Sequence, residues 1–290
     1  MKILGTGLTG LVGSRIVELL KDKYEFENIS RSTGVDITNK EQVHKAISET
    51  DAEIVFHLAA KADVDGCEKD KELGEQGEAW KINVEGTRNV VLACEALKKK
   101  LVYISTDFVF DGEKELYTED DTPRPVNFYA KTKYEGEKIV QTLTPSWLIL
   151  RIAYPYRAQF EKNDFVRAVK GKLEKGEAVT MVTDHIFCPT FIDDIANALD
   201  RLLMQEATGI FHVVGGQALS PLDVATKIAK EFDYETTLIS ATTRAEFFKD
   251  RAIRPFRLAL NNDKISKLGI QMRSFEEGLT ELKIQIDILK

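Results

Sequence analysis

Seven residues near the start, Gly7-Leu-Thr-Gly10-Leu-Val-Gly13, constrain this chain more than any other stretch, because of what flanks them. The apolar run Lys2 to Leu4 precedes them as a strand candidate, and Leu11 to Leu20 follows with helical periodicity. Glycines at a strand-to-helix junction permit a tight turn and let the backbone approach an anion at the helix amino terminus. The same rhythm continues downstream. Phe26 to Ser30, Glu53 to Ala59, Leu101 to Thr106 and Trp147 to Ile152 read as strands. Glu41 to Ser48, Ala79 to Leu97 and Tyr129 to Gln141 read as helices. Alternation of this kind requires a parallel sheet covered on both faces. Right-handed crossovers then give an α/β fold, a Rossmann-like doubly wound sheet with ligands at the carboxyl ends of its strands.

Beyond about Arg157 the rhythm changes. Asn163 to Lys172 and Phe191 to Met204 look helical, while Val179 to Val182 and Gly209 to Val214 look like strands. Ser220-Pro-Leu-Asp opens a helix, with Ser as cap, Pro in the first turn and Asp near the positive end of the dipole. The expected division is a dinucleotide-binding domain over 1–156, to which 186–210 returns, and a smaller, mainly substrate-binding α/β domain over 157–290. The net charge of −7 argues against nucleic acid as a partner. No apolar run approaches membrane-spanning length, so no membrane partner is expected. The amino terminus lacks the apolar region and cleavage site of a signal peptide, and Cys67, Cys94 and Cys188 are scattered. Free thiols in a reducing cytoplasm follow as the expectation.

The glycine-rich turn makes a dinucleotide the expected cofactor, with Gly7, Thr9, Gly10, Leu11 and Val12 as candidate contacts. At the end of the second strand an NAD enzyme usually places an acid, but this chain has Ser30-Arg31-Ser32. A guanidinium without a competing carboxylate favours a 2′-phosphate, so Arg31 and Ser32 point to NADPH, with NADH as the alternative. His57-Leu58-Ala59-Ala60-Lys61 closes the third strand, and its small residues would let a cofactor lie against the backbone. Leu58, Ala59, Ala60 and Lys61 are therefore candidates. His57, alone in an apolar strand, is assigned to the core.

Tyr129 and Lys133 lie four residues apart, about one helical turn, and so leave one helix face. An ammonium beside a phenol favours the phenolate and would lower its pKa, which suits a proton donor. Ser105 and Thr106 end their strand, and alternation predicts that one of the two faces the site. Arg254 could pair with a diphosphate through its fork of donors.

Together these segments resemble a known family. The glycine-rich turn, His57-Leu-Ala-Ala, Asn83-Val-Glu-Gly-Thr-Arg-Asn, Tyr103-Ile-Ser-Thr-Asp-Phe-Val-Phe-Asp-Gly and Tyr129-x-x-x-Lys133 occur in the order of extended short-chain dehydrogenases. The likeness is greatest to the dTDP-4-dehydrorhamnose reductase family and covers most of the chain. The resemblance implies reduction of a keto group on a nucleotide-linked deoxysugar. It implies Tyr129 as proton donor, Lys133 on the nicotinamide ribose and Thr106 rather than Ser105 on the carbonyl oxygen. Asp36 and Ile37 resemble the segment that contacts adenine. Val64, Asp107 and Phe108 resemble substrate contacts, and Arg254-Pro255 resembles the family's Arg-Pro pattern. A homodimer is implied on the same ground.

The chain also departs from the family. Gly5 stands in place of a β-branched residue, and Phe108 in place of a Tyr. His185 and Phe187 replace a Gln and a Gly, and Arg151-Ile-Ala-Tyr-Pro-Tyr replaces Arg-Thr-Ser-Trp-Val-Tyr-Gly. All but Gly5 fall where the sugar nucleotide should sit, so the identity of the sugar does not carry over. Two other functions stay open: a nucleotide-sugar epimerase on the same fold, and a non-catalytic regulatory subunit like the β subunit of methionine adenosyltransferase.

Overall fold

The computed structural model describes residues 1–143 and 146–289. The first half builds five strands in the expected places: β1 (Lys2–Thr6), β2 (Glu25–Ile29), β3 (Ile54–His57), β4 (Lys100–Thr106) and β5 (Trp147–Ile152). The sixth strand of the sheet comes from far downstream, Gly209–His212. The order across the sheet is Gly209–His212, β5, β4, β3, β1, β2, with every pair parallel. The chain leaves β1 toward β2, then crosses back to place β3 on the other side of β1. That reversal opens a crevice at the carboxyl ends of β1 and β3, where doubly wound folds bind ligands.

Alternate residues of each strand feed two cores. Ile3, Phe56, Val102 and Leu150 pack under α1 (Leu11–Leu20) and the helix Ile192–Met204. Leu4, Val55, Leu101 and Ile149 pack under α2 (Lys40–Ser48) and the helix Thr87–Leu97. A strand buried on both faces must be apolar at nearly every position, which is why these stretches read as continuous runs.

The expected long helix over 79–97 is interrupted. Glu78–Trp80 is α-helical, Lys81–Gly86 forms a π-helical turn, and Thr87–Leu97 resumes the α-helix. The wide turn aims Asn83 inward. Its Nδ2 donates to the Lys61 carbonyl at 3.0 Å and to Thr132 Oγ1 at 2.9 Å, and its Oδ1 accepts from the Lys61 amide at 2.8 Å. A buried amide is thereby satisfied on both ends, and π-turns commonly occur beside functional sites.

The second lobe is built on the helices Phe165–Glu174, Pro221–Glu231 and Phe275–Ile288 around Phe187, Phe191, Val224 and Leu279. Ser220 caps its helix as expected, accepting from the Asp223 amide at 3.1 Å. A parallel pair, Val179–Val182 with Ile239–Thr242, lies against these helices. Phe108, Phe110, Tyr117, Cys188, Val214 and Leu258 fill the seam between the lobes. No helix among the described residues is long and apolar enough to cross a membrane.

Candidate active site

A cleft of about 460 Å³ lies where the strand ends and the second lobe meet. Gly7, Gly10, Leu11, Val12 and Gly13 form its floor at the β1–α1 turn, with Leu58 and Ala60 from the end of β3. Thr106, Asp107, Phe108, Tyr129 and Lys133 line one wall, and Tyr154, Pro155, Val64 and Arg254 another. A second hollow of about 220 Å³ shares Gly7 and Ala60 with the first and extends past Ile29, Arg31, Asp36, Ile37 and Ala59. The two form one trough along the strand ends. A larger hollow of about 740 Å³ lies elsewhere, between Arg15, Arg157 and the carboxyl-terminal helix. Its arginines are committed to ion pairs with Asp193 and Glu18, so it carries no candidate for chemistry.

Backbone geometry explains the glycines of the floor. Gly7 is left-handed, at φ +73°, and a Cβ there would come within 2.8 Å of the Ala59 amide nitrogen. At Gly13 a Cβ would meet the Gly7 carbonyl oxygen at 2.6 Å. The turn thus closes on both β3 and the first turn of α1, leaving α1's free amides facing the trough. Gly5, the departure inside β1, leaves room that the Leu8 side chain takes, since a Cβ would sit 2.5 Å from Leu8 Cγ.

The helix Phe128–Val140 carries the pair expected from spacing, and its start is held from three sides. Asn127 Oδ1 accepts from the Ala130 amide at 2.9 Å, and Asn127 Nδ2 donates to the Ile253 carbonyl at 2.9 Å. Glu68 Oε2 accepts from the Phe128 amide at 2.8 Å. Lower down, Glu137 and Arg151 form a wholly buried bidentate ion pair at 2.9 and 2.7 Å, tying the helix to β5. Tyr129 therefore reaches the cleft from a braced platform. The Thr106 hydroxyl borders the same cleft and favours the ionised form of the phenol. Lys133, 3 % exposed, donates from Nζ to the Ile104 carbonyl at 2.8 Å and lies 4.0 Å from the Tyr103 ring centre.

The electrostatics correct one expectation. Lys133 does not acidify Tyr129 in this arrangement. Burial pushes the phenol up, opposed by the Thr106 hydroxyl, while the Asp107 charge pushes the same way as burial. The ammonium is spent on Ile104, and burial pulls Lys133 down to about 7 against the favourable charge of Glu137. Burial likewise lifts Asp107 to about 7, and its Oδ2 has no partner although Thr106 donates to Oδ1 at 3.0 Å. A second correction concerns alternation. Ser105 and Thr106 both border the cleft, because β4 ends at Thr106 and the cavity wraps around the strand end. Thr106 is the one whose hydroxyl bears on the Tyr129 phenol, whereas Ser105 Oγ is buried without a partner among the described residues. His57 stays in the core, bonded to Thr6 Oγ1 at 2.6 Å and Thr87 Oγ1 at 3.0 Å, and burial holds it neutral at about 3.

Not every expected contact reaches the trough. Thr9 and Ser32 are exposed outside its lining. Lys61 pairs with Asp70 at 3.0 Å and Glu78 at 2.7 Å, because the chain turns away after Ala60 toward the helix Val64–Lys69. Arg31 does border the smaller hollow, with Nε on Asp36 Oδ2 at 3.1 Å. Asp36 is further occupied by the Thr38 amide at 2.9 Å and hydroxyl at 2.8 Å, which together with Arg31 hold its carboxyl low. Arg254, expected to pair with a diphosphate, is no loose surface group. It is 11 % exposed, bonded to Asp65 at 2.9 Å and packed on Phe248.

Tyr154 is the wall residue that the sequence reasoning left out of the site. Its signal was the altered Arg151-Ile-Ala-Tyr-Pro stretch after β5, which places Tyr154 and Pro155 on the cleft lining. Ile104, Ile152, Ala62 and Ile82 also line the trough; Ile104 and Ile152 belong to the core as well.

Comparison with known proteins bears on what this trough holds. A family model described as the RmlD substrate-binding domain matches residues 1–287. A probable low-salt glycan biosynthesis reductase of Haloferax volcanii is 31 % identical, over 96 % of each chain. Methionine adenosyltransferase 2 subunit beta of Mus musculus is 28 % identical, over 97 % of this chain and 86 % of that one. The crystal structure of dTDP-4-dehydrorhamnose reductase from Bacillus anthracis in complex with NADP superposes with a TM-score of 0.89. It is 31 % identical, covering 98 % of this chain and 99 % of the other.

Proposed function

Because the chain belongs to the RmlD substrate-binding family of extended short-chain dehydrogenases, we propose that it is an NAD(P)H-dependent reductase. Its substrate is a nucleotide-linked 4-keto-6-deoxysugar. The observation that carries this reading is the meeting of Thr106, Tyr129 and Lys133 in a cleft continuous with the glycine-floored trough.

The residues present suit a phosphorylated dinucleotide. Gly7 and Gly10 leave the space a pyrophosphate needs beside α1's amino terminus, and a Cβ on Gly7 would clash with Ala59 instead. Ile29 and Ile37 offer apolar contact for a base. Arg31 offers its terminal nitrogens to a 2′-phosphate, and the neighbouring carboxylate of Asp36 is already occupied by Thr38. NADPH is therefore the proposed cofactor, consistent with the NADP bound to the B. anthracis enzyme. The bound cofactor supplies the hydride.

The protein's part is to receive the charge that develops on the ketone oxygen. Thr106 and Tyr129 border one cleft and would hold that oxygen by their hydroxyls, Thr106 turning its proton from Asp107 Oδ1 to do so. Tyr129 gives up its phenolic proton, so the carbonyl carbon gains hydride and the oxygen gains a proton, leaving an alcohol. A phenol kept neutral by burial is a loaded donor at neutral pH. Lys133, buried one turn away, would bind the nicotinamide ribose. Arg254 would face the diphosphate, and Val64, Asp107 and Phe108 the sugar.

The likeness to the mouse regulatory subunit supports a second reading, a non-catalytic subunit that retains the site. NADPH oxidation against a panel of nucleotide-linked 4-keto sugars separates the two. The proposal expects turnover with at least one member, and absence of turnover across the panel would favour the regulatory reading. A homodimer is proposed on family grounds alone, checked by sedimentation. Cytoplasmic residence is proposed from three buried free thiols and a substrate class made from nucleotides.

A further inference from the structure

We propose that His185 is a positioning residue that latches together two chain segments of the substrate-side wall, holding the Tyr154 ring and the Arg254 segment through one imidazole. The proposal rests on the reductase reading for its kinetic arm only.

Tyr154 has φ +40°, a left-handed backbone that residues with side chains rarely adopt and that persists only when the surroundings over-determine it. The surroundings here are specific. The Tyr154 ring stacks on Phe187 at 3.8 Å between centres, with Phe108 on the cleft side at 6.3 Å. Its hydroxyl lies 2.8 Å from His185 Nε2. His185 Nδ1 lies 2.7 Å from the Pro255 carbonyl oxygen. A carbonyl oxygen only accepts, so Nδ1 carries the proton. In the neutral ring Nε2 is then an acceptor, and the Tyr154 hydroxyl must donate to it. His185 is 1 % exposed, and burial holds it down to about 4, which keeps the ring neutral.

The latch joins two distant segments of one wall. Tyr154 borders the cleft after β5, and Pro255 follows Arg254, which borders it on the same wall from a segment about 100 residues downstream. The strand residues beyond His185 reinforce the tie, since the Ile186 amide donates to the Phe256 carbonyl at 2.9 Å. One consequence concerns substrate class. Tyr154 spends its proton on His185 and Phe108 carries no hydroxyl, so apart from Tyr129 the aromatic side of the pocket presents no free donor. It suits a sugar face bearing hydrogen or methyl rather than hydroxyl.

Three variants and one spectrum test the latch. For the panel sugar with the highest turnover, His185→Phe and Tyr154→Phe should each raise the sugar KM about tenfold with NADPH KM unchanged. His185→Phe cuts both imidazole bonds and Tyr154→Phe only the one they share, so the double variant should be no worse than His185→Phe alone. His185→Gln, which keeps a donor and an acceptor, should restore most of the loss. Additive effects, or equal changes in NADPH KM, would overturn the proposal. Imidazole nitrogen NMR of the wild-type protein reads the latch without any activity: Nδ1 protonated and Nε2 bare, with Tyr154→Phe shifting Nε2. A proton on Nε2 instead would overturn it, whatever the reaction turns out to be.

Discussion

The two ends of the trough are built by different means. Apart from Ile82, the cofactor end comes from short contiguous stretches within residues 7–60, and its shape is set by backbone: a left-handed Gly7, a Gly13 pressed on its own turn, small residues after β3. The proposed sugar end is gathered from Val64, Phe108, Tyr154 and Arg254, backed by His185 and Phe187, and it is held by side chains reaching one another across the seam. A backbone-made site tolerates change in its side chains and announces itself by glycine spacing. A site made by side chains can be re-cut for a new ligand by a few substitutions, and here the departures from the family fall on this end.

The helix bearing Tyr129 serves both ends, and the largest expected effect separates chemistry from binding there. Tyr129→Phe should lower turnover by about 10²–10⁴-fold, the usual contribution of a positioned acid. NADPH affinity, measured by calorimetry, should stay near wild type; a parallel loss would merge the two ends into one site. Next comes the brace. Glu137→Ala strands the buried Arg151 charge and should cost about 3–5 kcal/mol in denaturant unfolding. A third change addresses the cofactor end alone. Arg31→Ala should raise NADPH KM by roughly 10–100-fold, from about 1.5–3 kcal/mol for hydrogen bonds to a charged group, and leave NADH KM unaltered. Equal effects on both cofactors would show that Arg31 does not read the 2′-phosphate.

The last effect belongs to the sugar end, depends on pH and vanishes near pH 4. Asp107 titrates at about 7 when folded and near 3.8 when unfolded. Between those values the unfolded chain has lost the proton that the folded one keeps, so stability falls as pH rises from about 4 to 7 and is level beyond. Asp107→Asn removes the charge. The variant should match wild type near pH 4 and exceed it by roughly 1–4 kcal/mol at pH 8, read from unfolding curves across that range. A constant difference at every pH would mean that the carboxyl titrates as an ordinary surface acid.

Much of this was legible before any coordinates. Strand and helix order in the first half follows from apolar runs and caps, and the Tyr129–Lys133 pair follows from helical spacing. Thr9 and Lys61 were not resolved by that logic, since a motif does not say which of its side chains turn inward. The π-turn at Lys81–Gly86 was hidden because its periodicity differs from an α-helix by a single residue per turn. Tyr154 and His185 were visible as departures, yet their bond joins residues 31 apart, and no local pattern encodes it. The expected acidification of Tyr129 failed for a different reason: spacing shows that two groups share a helix face, not which carbonyl captures the ammonium.

The parallel pairing of Leu148 with Gly209 sets a condition on biosynthesis. While the ribosome is still making the intervening segment, β5 stands as a bare edge with its amides and carbonyls unmatched, a template for wrong partners. The nucleotide half cannot finish folding as an early, self-sufficient unit. A chain cut short after β5 would carry that open edge permanently and should aggregate rather than yield a minimal cofactor-binding fragment.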